Sequence, residues 1–95
     1  IQQHGRRHAS VAARLVQLGS LLAQWGRDAE SLSILAEAAE VYELLDGQDP
    51  APLIDVLHRQ ALALQRLHRP REAELLVERA DALAGRTSHV LEDLL

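Results

Sequence analysis

Ninety-five residues, 47% of them apolar, suffice for one small domain with a modest core. The chain has no Cys, which excludes disulfides, thiolate metal sites and cysteine nucleophiles, and its net charge of −4 argues against nucleic acid, which calls for a basic excess. No apolar run reaches bilayer length and no signal-type segment is present, so no membrane is expected and the compartment is read as cytoplasmic.

The chain begins at Ile1 rather than Met, as an excised fragment would. Trp25 and Tyr42 are its only aromatics, so the core must be aliphatic, and every basic residue is Arg. Charge is laid out in blocks. Residues 1–27 carry Arg6, Arg7, Arg14 and Arg27 without an acid, residues 28–55 carry acids without a base, and the signs mix from 59 to 86. Alternating basic and acidic helices suit pairing between neighbours.

Val11, Leu15, Leu18, Leu22 and Trp25 recur at three- and four-residue steps, which predicts a first helix over about 8–25 after a coil. Gly26 closes it, because Gly takes the left-handed conformation after a helix end. Asp28 is read as the N-cap of a second helix over 28–46, with Leu32, Leu35, Ala38, Ala39, Tyr42 and Leu45 on its apolar face. Gly47-Gln48-Asp49-Pro50-Ala51-Pro52 is the strongest break. A third helix, 52–68, presents Leu53, Leu57, Ala61, Leu64 and Leu67. Pro70 suits the first turn of a fourth, 70–84, with Ala73, Leu76, Val77, Ala80 and Leu83. Gly85 is expected to stop it, and Ser88 to cap a fifth helix carrying Val90, Leu91, Leu94 and Leu95. No segment alternates like a strand, so the fold class is all-α, built of antiparallel helix hairpins.

The chain also matches itself at a shift of 42. Gly5 falls on Gly47, Ala9 on Ala51, Leu15 on Leu57, Leu22 on Leu64, Arg27 on Arg69, Glu30 on Glu72 and Ala38 on Ala80. A fixed period of this size is the signature of stacked helical repeats. Repeat one spans about 5–46 and repeat two about 47–84, and 88–95 is a truncated third repeat or capping helix, all within a single domain over 1–95.

Leu15, Leu18-Gly19, Leu22, Gly26, Ser31, Leu35 and Ala38 stand at a spacing of large, Leu-Gly, large, turn Gly, small, large, small, and Leu57, Ala61, Leu64, Ala73, Val77 and Ala80 repeat it. These units resemble tetratricopeptide repeats over about residues 5–84. The longer period, with Tyr42-Glu43, Gly47 and Pro50 ahead of Leu53, is similar to the extended subtype of kinesin light chains and of some regulatory ATPase tails. Gln60 for the usual Leu and His68 for the turn Gly depart from the pattern.

The resemblance implies a short right-handed superhelical solenoid whose first helices line a concave groove. The groove positions carried over are Val16, Gln17, Ser20 and Gln24, then His58, Arg59, Leu62 and Arg66. Val16 and Leu62 are apolar residues off the hairpin stripe, and His58, Arg59 and Arg66 make the second half basic. The Lys and Asn pattern of the chaperone-tail carboxylate clamp is not there.

Other candidates have plainer readings. His4 and His8 are four apart, but Gly5 and the expected coil spoil a metal geometry, so no metal or cofactor is expected. Glu30 and Glu72 suit helix dipoles. Glu37, Glu40 and Glu43 form an acidic strip that is either solvated or meets Arg of the adjoining hairpin or a basic partner, and Trp25 is read as core, with an exposed recognition aromatic as the alternative. No catalytic constellation emerges, so an enzyme is not expected. The reading is a protein-interaction scaffold or adaptor that binds an extended acidic or amphipathic segment of another protein. Its alternative is a self-associating or spacer segment of a larger repeat protein, for instance the regulatory tail of a signalling ATPase.

Overall fold

The computed structural model describes the backbone of residues 2–45 and 49–94 and the side chains of 8–45 and 49–85. It is all-helical, with no strand among the described residues: α1 (Gln2–Gln24), α2 (Asp28–Leu44), α3 (Ala51–Arg66) and α4 (Pro70–Leu94). α1 packs on α2 and α3 on α4, each pair joined by a connection too short for anything but an antiparallel hairpin, and α2 packs on α3 to unite the two hairpins.

Both hairpin turns are built alike. In the first, Gly26 takes φ +76° while its N–H donates to the Ala23 carbonyl, and Arg27 N–H reaches back to Leu22 at 2.9 Å. In the second, His68 takes φ +61°, its N–H donates to Gln65, and Arg69 N–H reaches Leu64 at 2.8 Å. This is the Schellman closure, in which a left-handed residue turns the chain back on its own last carbonyls. Arg27 and Arg69 then each close an ion pair with the glutamate three residues on, Arg27 Nε to Glu30 Oε1 at 2.9 Å and Arg69 Nη2 to Glu72 Oε2 at 2.6 Å. The repeat of Arg and Glu at the 42-residue shift is therefore a repeat of turn geometry.

Small residues set the hairpin spacing. A Cβ on Gly19 would stand 2.8 Å from Leu35 Cγ, and Ser31 Oγ donates to the Gly19 carbonyl at 2.7 Å in a buried contact. Ala38 and Ala80 are fully buried. One core cluster joins Leu35, Ala38 and Ala39 of α2 to Val56 of α3, with Leu15, Val16, Tyr42 and Leu53 packed against it. The other joins Ala61 and Leu64 of α3 to Ala73 of α4, with Leu32, Leu76 and Val77 against it. Each cluster draws side chains from both hairpins.

Several expectations are corrected. α1 starts at Gln2, so the segment before residue 8 is helix rather than coil, and His4 and His8 do stand one turn apart on it. The residue at the N-cap of α2 is Arg27, without a side-chain cap bond, and Asp28 is already helical. α4 runs unbroken through Gly85 and Ser88 to Leu94, where two helices were expected. A glycine in a helix costs only about 1 kcal/mol against alanine and stops it only where φ turns positive. Among the described residues Gly26 alone among the glycines does so. Trp25 is 66% exposed rather than core. The side chains of Val90, Leu91 and Leu94, all of Leu95, and the break residues Gly47 and Gln48 lie outside the described residues.

Candidate binding groove

A groove of about 300 Å³ opens where α3 leans against the first hairpin. Gly19, Ser20, Ala23 and Gln24 of α1, Ser31 and Leu35 of α2, and Arg59, Leu62, Ala63 and Arg66 of α3 line it. Five of the positions carried over from the repeat resemblance thus share one cavity: Ser20, Gln24, Arg59, Leu62 and Arg66. Three do not line it. Gln17 and His58 are exposed and are not part of its lining. Val16 is half-buried and packs against the Leu35–Val56 cluster, so its apolar side chain already has a partner within the fold.

The floor of the groove comes from small residues. Gly19, Ala23, Ser31 and Ala63 leave room between the helices, a signal that single-residue spacing assigned only to helix packing. Leu62 remains 48% exposed on the wall and supplies the apolar surface.

Both arginines reach across the groove. Arg59 Nε donates to Asp55 Oδ2 at 2.9 Å, and its Nη1 donates to Ser20 Oγ of α1 at 2.8 Å. Ser20 Oγ in turn donates to the Val16 carbonyl at 2.8 Å, so the hydroxyl is used in both directions. Arg66 Nη1 donates to the Ala23 carbonyl at 3.4 Å and stands 3.6 Å from Asp28 Oδ1. That carboxylate oxygen is buried and accepts no hydrogen bond among the described residues. The arginines are therefore not wholly free: each is half exposed and half engaged in tying α3 to the first hairpin. Among the described residues no hydrogen bond uses Nη2 of either, which leaves donors on each guanidinium open to a ligand.

The acidic strip divides. Glu43 pairs with Arg79 of α4 at 2.5 Å across the hairpin junction, while Glu37 and Glu40 are exposed with no ion pair among the described residues. At the same junction Tyr42 titrates above its usual range because burial disfavours the phenolate and the nearby Asp55 charge adds to it. Among the described residues no group of three or more His, Asp or Glu is placed to hold a metal ion, and no helix is long and apolar enough to cross a membrane. Comparison with protein-family models, curated proteins and solved structures returned no match.

Proposed function

We propose that this chain is a stacked helical-hairpin scaffold of tetratricopeptide type, and that the groove between its hairpins binds an extended acidic or amphipathic segment of another protein. The observation that carries the reading is the groove's composition: a half-exposed leucine between two half-exposed arginines, over a floor of small side chains. A partner carboxylate meets the open Nη2 edges of Arg59 and Arg66, and a large apolar side chain packs on Leu62. The close approach at Gly19 and Leu35 and the paired left-handed turns support the repeat assignment.

The test is titration of a labelled Glu-rich peptide with a single central Leu. Arg66→Ala and Leu62→Ser should each weaken binding by about 1 kcal/mol, roughly a factor of five, and salt should weaken it further. Binding indifferent to both changes would overturn the assignment. A second reading is favoured by the contacts of Arg59 with Ser20 and of Arg66 with Ala23, which make the arginines ties of a spacer or self-associating segment. In that case Arg66→Ala lowers thermal stability and leaves peptide binding unchanged.

A further inference from the structure

The outer face of α1 is apolar and uncovered, and the rest of the molecule shows what such a face holds. Val11, Leu18 and Leu21 are 44%, 44% and 46% exposed. At the 42-residue shift they fall on Leu53, Gln60 and Ala63 of α3. Gln60 and Ala63 are buried, and Leu53 packs against the Leu35–Val56 cluster where α3 meets α2. α1 thus presents in the open the face by which α3 docks on a helix.

A depression marks the same register. About 330 Å³ lies between α1 and α2, lined by Leu18, Leu22, Glu30, Ser33 and Ile34, none of which lines the binding groove. Leu22 and Ile34 correspond to Leu64 and Leu76, which belong to the cluster that receives Leu32 of α2. One position differs in charge. Val56, fully buried with Leu35, Ala38 and Ala39, has Arg14 as its counterpart on α1. Arg14 is exposed and makes no ion pair among the described residues.

We infer that this face docks a partner helix of the α2 kind, seated on α1 as α2 is seated on α3. Such a helix carries an aliphatic side chain at i, the place of Leu32, to fill the depression, and a second at i+3, the place of Leu35, which in the α2–α3 contact packs beside it in the Val56 cluster. It carries a carboxylate at i+7, the place of Ala39, to meet Arg14, and an aromatic or aliphatic residue at i+10, the place of Tyr42. α4 of a second copy fits less well. Its residues at those places are Glu74, Val77, Asp81 and Ala84, so Asp81 suits Arg14 but Glu74 stands where an aliphatic side chain must enter. The inference rests on the hairpin register and is independent of what the groove binds.

The probe is a labelled, end-blocked peptide of residues 27–45 carrying Ala39→Asp, titrated with the full chain by fluorescence anisotropy. Because an isolated helix of this length is marginal in water, the expected affinity is micromolar or weaker. Leu18→Glu and, independently, Val11→Glu should each weaken binding by about tenfold or more while circular dichroism stays unchanged. The peptide that keeps Ala39 should bind about fivefold more weakly than the peptide carrying Ala39→Asp, and Arg14→Ala in the chain should erase that difference. Three results would overturn the inference. One is no saturable binding up to about 1 mM peptide. Another is binding lost in Arg66→Ala but kept in Leu18→Glu, which puts the acidic peptide in the groove. The third is concentration-dependent self-association of the full chain that Asp81→Arg abolishes, which makes a second copy the occupant.

Discussion

At the scale of single residues, two positions carry most of the hairpin geometry. Gly19 lets α1 approach Leu35, whose side chain is almost fully buried, and a methyl group there has nowhere to go. Gly19→Ala should therefore cost about 1–3 kcal/mol by overpacking. The second hairpin shows the remedy, since Ala61 and Val77 stand in the same register with volume moved from one partner to the other. Gly19→Ala with Leu35→Val should then be less destabilised than the two single changes summed, measured as a coupling in a chemical-denaturation cycle. Strict additivity would show that the contact does not set the spacing. His68 is the second such position. It holds a left-handed φ without being glycine, so His68→Gly should stabilise the chain by about 0.5–1 kcal/mol, visible as a rise in Tm of a few degrees. The same change at a relaxed position would lower Tm, and a fall would therefore count against the turn as described.

At the scale of helices, the junction between α2 and α3 can be read through one titration. Tyr42 sits there with its phenol held above the usual range, first by burial and then by Asp55. A raised pKa means that the neutral form is favoured in the fold. The contribution is complete below about pH 10, where free tyrosine titrates, and is lost as pH rises through the folded value. The chain has no Lys, no Cys and no other Tyr, so no other side chain loses its proton between about pH 9 and 11. Stability to urea should fall across that window, and Tyr42→Phe should flatten the slope. An unchanged slope in Tyr42→Phe would detach Tyr42 from the junction. Helix boundaries were legible in the sequence where chemistry forces them: Gly26, Pro70 and the Asp49–Pro52 stretch all end or begin helices as their residue types require. Gly85 was not legible, because a glycine permits a stop without compelling one, and nothing packed nearby decides the matter. His68 was flagged only as a departure from glycine, since a left-handed histidine is fixed by the closing hydrogen bonds of its turn rather than by its own preference.

For the molecule as a whole, the two hairpins are joined by the Leu35–Val56 cluster and by long side chains that cross between them: Arg59 to Ser20, Arg66 to Ala23 and Asp28, and Arg79 to Glu43. The periodicity of 42 announced that there would be two like units. It could not announce these crossings, because they depend on how far a guanidinium reaches once the units are stacked. For the same reason the sequence puts Val16 in the groove alongside Ser20, Gln24, Arg59, Leu62 and Arg66, whereas its half-buried side chain packs against the Leu35–Val56 cluster. Trp25 was misplaced because the spacing that put it in line with Leu22 continues past the last helical residue, Gln24, where the chain has already begun to turn.

The central claim is that the groove between the hairpins is where an acidic segment binds, and amide chemical-shift mapping with the Glu-rich, single-Leu peptide tests it most directly. Perturbations should gather at Ser20, Gln24, Leu62, Ala63 and Arg66 and shrink as salt is raised. Perturbations centred on Leu18, Leu22 and Ile34 or on α4, or a spectrum that does not respond to the peptide, would contradict it.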